Sequence, residues 1–314
     1  MCILLFFNTQ LFEFMDTRPI PKVEPVLSVK THVYILCGCI KNRIASLRIV
    51  VGDGWSSCNS YIQKTVCVLT CLLNVTVSAF GSSVIAFRTI SSIIIGSDSR
   101  QNDGKNVLPD AFCKVLQSGG VSRFWSSTQV WKEPLSGFSV EASVNRAATN
   151  ATSMNEWVAA FDSGIMAELR RTIRMVKTKD ITKYLNAYAG KHVLEIIFVG
   201  FEDKVPVLFF RDYQTDANGN LMPPNKVGCP GERCMDATTM RFCLGACTEA
   251  DEVSRRSQPL RPNGLVDAIR NEINAEIKTD WTVGPPIDVL QIDQRGSRWV
   301  DAEPQSKCKP ITDP

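Results

Sequence analysis

The chain has 314 residues, 44% hydrophobic and 21% charged, with 35 Lys and Arg against 32 Asp and Glu. Those proportions belong to an ordinary globular protein and exclude a disordered tail or a collagen-like repeat. A net charge of +3 argues against a nucleic-acid partner, and only two histidines, His32 and His192, leave little material for a histidine metal site or a Ser-His-Asp triad.

Charge and cysteine are unevenly spread. The seven basic and four acidic residues of positions 1–81 carry the whole +3, so the remaining 233 residues are net zero. Residues 1–63 show short apolar patches, Ile3–Phe7 and Val33–Ile40, separated by Pro19, Pro21 and Pro25, and match no regular element. They read as an over-extended start or a pro-segment. From Thr65 to Phe87 no charged residue occurs. Lys64, the apolar run Val66–Val77 and the small residues Ala79 and Gly81 together read as a signal peptide cut between Gly81 and Ser82. A transmembrane segment over 65–87 is the alternative. The expected location is therefore exported, periplasmic or extracellular, or else membrane-anchored.

Beyond Ser82 the pattern is regular. Val84–Phe87 with Ser92–Gly96, and Lys114–Gln117 with Val121–Ser126, read as two strand pairs. Ser153 and Glu156 form a capping box, and Trp157, Phe161, Ile165, Leu169 and Ile173 predict one apolar helix face to about Val176. Val193–Gly200 and Val205–Phe210 predict a hairpin, followed by a polar loop at Asn218-Gly219 and Pro223-Pro224 and a strand near Met240–Leu244. Val266, Ile269, Ile273 and Ile277 mark a second helix, and Ile287–Ile292 with Ser297–Val300 a closing hairpin. The order strands, helix, strands, helix, strands suggests antiparallel sheets with helices packed outside rather than a βαβ nucleotide fold.

Cys229, Cys234, Cys243 and Cys247 fall within nineteen residues, a spacing open to zinc or to disulfides. The exported setting favours disulfides, most simply Cys229–Cys234. Cys113 reads as a buried strand residue and Cys308 as a residue that pins the tail. Arg170, Arg171, Arg174, Lys177, Lys179 and Lys183 sit at the end of the first helix, where its dipole accounts for them. His192 reads as structural.

The run SSVIAFRTISSIIIGSDSR, with DAFCKVLQ after it, resembles the start of N-terminal nucleophile (Ntn) hydrolases of the proteasome β-subunit type, in particular the bacterial free-standing kind. Those proteins begin with a Thr, Ser or Cys freed by cleavage after Gly; with Ser82 first, Asp98 and Lys114 fall at the family's acid and lysine positions, 16 and 32 residues on. The resemblance covers about residues 82–302, leaving 303–314 as a tail, and implies an α+β fold, a four-layer αββα sandwich. It implies a hydrolase of peptide or small amide substrates, with a homo-oligomer as partner state and no cofactor, metal or nucleic acid. Ser82 would be the nucleophile, its α-amine the base, Lys114 and Asp98 the activating pair, and Thr128 the backbone oxyanion donor. Asp280 and Gly284 match an Asp and Gly before the closing strand, with Val283 where the family has serine. Gly245-Ala246-Cys247 match its Gly-Ser-Gly, again without the serine. The missing hydroxyls keep open a second expectation, an inactive binding or structural member tethered to a membrane through residues 65–87.

Overall fold

The computed structural model describes residues 82–300 except 102–105, 109–110, 119–121, 232–233, 235–238 and 257–263, with Cys308, Ile311 and the backbone of 39–40 and 43–44. The signal-peptide and cleavage residues up to Gly81, and Val121, lie outside the described residues. The chain divides into two compact units, Met1–Val75 and Thr76–Pro314. In the first, Cys39–Ile40 pairs antiparallel with Arg43–Ile44.

In the second unit, β1 (Ser83–Thr89) and β2 (Ser92–Asp98) form a hairpin. Strand β3 (Leu116–Gln117) pairs with β4 (Arg123–Gln129), and β5 (Lys132–Glu133) with β6 (Phe138–Ser139). Helices α1 (Val140–Ala148), α2 (Met154–Lys179) and α3 (Ile181–Ala187) follow. Strands β7 (His192–Glu202), β8 (Val205–Gln214), β9 (Asn225–Cys229) and β10 (Thr239–Gly245) come next. The chain continues through α4 (Thr248–Arg256), α5 (Leu265–Thr279), β11 (Ile287–Asp293) and β12 (Gly296–Trp299).

The strands assemble into two five-stranded antiparallel sheets, ordered β10-β1-β2-β11-β12 and β9-β8-β7-β4-β3. Val84, Ala86, Ile93 and Ile95 of the first sheet meet Phe124, Ile197, Val199 and Leu208 of the second in one buried core. On the outer face of the second sheet, Trp157, Phe161, Ile165, Leu169 and Ile173 of α2 pack on Trp125, Ile196 and Phe198. On the outer face of the first, Leu265, Ile269 and Ile273 of α5 pack on Ile85, Phe87, Ile94 and Val289. The fold is thus a four-layer αββα sandwich. The uninterrupted apolar runs VIAF and III follow from this layering, because both faces of each central strand are buried and alternation has no solvent side to mark.

Several local expectations hold with longer bounds. The Ser153 side chain accepts the Glu156 N–H while Glu156 returns a bond to the cap backbone, which satisfies donors that a helix start leaves open. The β7–β8 hairpin turns at Asp203 and Lys204, both with positive φ, as a two-residue turn requires. Residues 83–87 are a buried central strand, so a membrane helix over the whole of 65–87 is corrected: any such segment stops before Ser83. Among the described residues, no helix is long and apolar enough to cross a membrane.

Among the cysteines, the expected Cys229–Cys234 disulfide is present and the reading of Cys113 is corrected. Cys229 pairs with Cys234 and Cys243 with Cys247, which leaves none of the four as a zinc thiolate. Cys113 is not merely a packed residue. It lies in the irregular segment before β3 and is bonded to Cys308, 195 residues away.

Candidate active site

The antiparallel pairing of β1 and β2 sets Val84 opposite Ser97, so the start of one strand lies beside the end of the other. This local register brings Ser82 and Ser83 to Asp98. Asp98 is fully buried, and its carboxylate accepts four donors: Lys114 Nζ and Ser83 N at 2.8 Å, and Arg100 N and Gly284 N at 3.2 Å. A buried carboxylate needs such compensation, since an unpaired one would cost several kcal/mol. Lys114 then reaches Ser82 Oγ at 2.9 Å. Ser82, Asp98 and Lys114 are therefore one connected group, as the family resemblance implies.

Lys114 is itself buried. Burial pushes its ammonium below the ordinary lysine value; Asp98 opposes that effect and the Arg100 guanidinium adds to it. The Arg100 side chain lies against Gly284, where a Cβ would collide with it, and donates to the Trp281 carbonyl at 2.7 Å. Asp280 acts at a distance from this group. Its carboxylate accepts the N–H of Thr282 at 2.8 Å and the hydroxyl of the same residue at 2.5 Å, shaping the turn that delivers Gly284. Val283 is buried against α5 and supplies no hydroxyl.

Thr128, near the end of β4, lines the same cleft as Ser82, but its side chain faces elsewhere. Its hydroxyl donates to Glu195 Oε2 at 3.0 Å, and the same oxygen accepts the Gly245 N–H at 2.7 Å. Gly245 has φ +77°, and a Cβ there would collide with the Ser82 carbonyl. Ala246 N–H donates to that carbonyl at 2.8 Å. Neither Glu195 nor this contact was anticipated from sequence. The one signal was a charged residue inside the apolar run VLEIIFV.

The cleft encloses about 400 Å³. Ser82 and Lys114 line it, with Phe112 and Trp131 as aromatic walls whose rings meet edge-on at 5.3 Å. Glu133, Lys183 and Tyr188 also line it. The Glu133 carboxylate is held by Lys183 and by the Tyr188 hydroxyl, each at 2.8 Å. Burial, and then Glu133, push the Tyr188 phenol well above its ordinary value. Ser127 also lines the cleft, and its buried hydroxyl has no partner among the described residues.

Among the described residues, His192, Glu195 and Asp212 form a group that could hold a cation, with ligand atoms within 4.8 Å of one another. His192 Nδ1 is already engaged with Asp212 Oδ1 at 2.9 Å.

No protein-family model and no curated protein matches the sequence. Among solved structures, the chain is similar to an Anbu (Gly-1) mutant from Hyphomicrobium sp. strain MC1, with 15% identity over 74% of this chain and 87% of that one, at a TM-score of 0.44. It is also similar to Anbu (ancestral beta-subunit) from Yersinia bercovieri, with 14% identity over 69% and 86% and the same TM-score of 0.44.

Proposed function

We propose that this chain is an amide or peptide-bond hydrolase whose nucleophile is Ser82, exposed as an N-terminus by cleavage after Gly81. The observation that carries this reading is the contact of Lys114 Nζ with Ser82 Oγ at 2.9 Å while Asp98 grips the same ammonium at 2.8 Å. A serine hydroxyl is a weak nucleophile and needs a base within reach. A freed α-amine, with an ordinary pKa of about 7.7–8.0, serves near neutral pH. It takes the Ser82 proton as the oxygen attacks the carbonyl, then passes it to the departing amine. Water, activated by the same amine, releases the acyl group. Lys114 favours the developing negative charge on Oγ, and Asp98 fixes its position.

The aromatic walls of the cleft suit an apolar side chain on the acyl half of the substrate. Three disulfides support export to an oxidising compartment.

The test is the N-terminal mass of the mature protein together with Ser82→Ala. An N-terminus other than Ser82, or amidase activity unchanged in S82A, would overturn the reading. A second reading, an inactive member of the same fold, is favoured by one observation: Ala246 and Val283 stand where the family's supporting serines are expected. An intact segment 1–81 in the purified protein supports it, because an internal Ser82 has no free amine.

A further inference from the structure

Glu195 lies on β7 between residues that are wholly apolar and wholly buried: Val193 and Leu194 before it, Ile196 and Ile197 after it. A carboxylate in that setting is costly unless its oxygens are satisfied. Burial pushes the Glu195 carboxyl up, against the pull of its two donors. Those donors come from two different strands, and each belongs to the neighbourhood of Ser82. One is the Thr128 hydroxyl, across the β4–β7 register; the other is the Gly245 N–H, from the other sheet.

Gly245 is the last residue of β10, which pairs with β1 so that Gly245 faces Ser83. Its positive φ turns the chain back, and Ala246 N–H then reaches the Ser82 carbonyl at 2.8 Å. The Cys243–Cys247 disulfide spans the same turn. The Glu195 carboxylate is thus two hydrogen bonds from the backbone of the candidate nucleophile, and it fastens the two sheets together beside it. The groups around it are His192, with Nδ1 4.0 Å from Oε1, and Asp212 on β8.

We propose that Glu195 is a positioning residue for Ser82: one carboxylate oxygen holds the Gly245–Ala246 turn, which clamps the Ser82 carbonyl, and keeps Thr128 in the same grip. The catalytic consequence rests on the nucleophile reading above; the clamp itself does not. The acceptor oxygen rather than the negative charge is what the turn requires, because Gly245 and Thr128 are both neutral donors.

The test uses the full chain as expressed, with Glu195→Gln and Glu195→Ala beside S82A. Hydrogen exchange at the Gly245 and Ala246 amides reads the clamp without reference to activity. Acylation of Ser82 by a β-lactone, followed by intact mass, reads the nucleophile. In E195A, protection of both amides falls by about ten-fold or more and acylation slows by a similar factor. In E195Q, which keeps a carbonyl acceptor, both stay within about three-fold of wild type, so a rescue separates positioning from general stability. Unchanged protection in E195A, or E195Q as impaired as E195A, overturns the proposal. If wild type takes no label at Ser82 yet E195A loses the protection, the hydrolase reading fails while the clamp stands. If E195A does not fold, Thr128→Val and E195Q decide between them. Protection at Gly245 retained in both supports the Gly245 bond as the clamp, and its loss in E195Q overturns it.

Discussion

Ser83 donates its backbone N–H to Asp98 Oδ1 at 2.8 Å, the same oxygen that holds the Lys114 ammonium at 2.8 Å. One buried atom therefore aligns the strand that begins beside Ser82 and the lysine that touches its hydroxyl. Asp98→Ala leaves a buried ammonium and three backbone N–H groups without their acceptor. The expected loss is about 3–5 kcal/mol of stability, the range for breaking a buried ion pair. Urea unfolding measures it, and a variant as stable as wild type would contradict the arrangement. Asp98→Asn, which keeps an acceptor, loses less stability than D98A.

Gly245→Ala is expected to abolish Ser82 acylation. The substitution costs about 1–2 kcal/mol for the left-handed backbone alone. Its Cβ also collides with the Ser82 carbonyl and comes within 3.1 Å of the Thr128 methyl group. Gly137 has a similar φ of +71° but nothing within 4 Å of a Cβ, so Gly137→Ala isolates the backbone cost. Comparing the two variants by thermal unfolding and β-lactone labelling separates strain from collision. Equal labelling of both variants would contradict this account.

Cys308→Ser removes a bond that closes 195 residues and is anchored next to Lys114. The expected cost is about 2–4 kcal/mol, chiefly through a freer unfolded chain. Thermal unfolding with and without reductant checks it, since reductant lowers the wild type toward the variant. Cys113→Ser is expected to lose the same stability, because each variant breaks the same bridge.

His192 is half-exposed and bonded to Asp212 at 2.9 Å, and that bond raises the imidazole above its ordinary value. Partial burial opposes the rise, and Asp212 and Glu195 add to it as charges. A raised folded value means that the protonated ring stabilises the fold. That contribution is present in full below about pH 6.5, the ordinary histidine value, and is lost as pH rises through the folded value. Solvent screening keeps it small. The melting temperature of His192→Gln is therefore expected to fall below wild type at about pH 5.5 and to converge with it above about pH 8. A gap that widens with pH would reverse the assignment.

Much of the fold is legible in the residues because its long elements carry their own pattern. The four-residue recurrence from Trp157 to Ile173 marks α2, and the Ser153–Glu156 box marks its start. Elements whose pattern is weak escape notice. Helix α4, TEADEVSRR, buries only Ala250 and so has no apolar stripe to read. Strand β9, NKVGC, lies at a sheet edge with one fully buried residue, and nothing in its alternation distinguishes it from the polar loop before it.

The site divides along the same line. Ser82 and Asp98 flank one hairpin, so their meeting is local, whereas Lys114 leads into β3 of the other sheet and is joined to them in the sequence only by the family resemblance. Glu195, Gly245 and Thr128 come from β7, β10 and β4, strands of two different sheets. Gly245 and Glu195 are 50 residues apart, and their pairing depends on how the two sheets stack. The sequence by itself determined the layered α+β pattern and the Ser82–Asp98 hairpin, because short-range periodicity and hairpin register are local properties, and the family resemblance added Lys114 to that pair. The tertiary structure alone decided the Cys113–Cys308 and Cys243–Cys247 pairings, the cleft and the carboxylate behind the nucleophile. Those are contacts between distant segments, specified by packing.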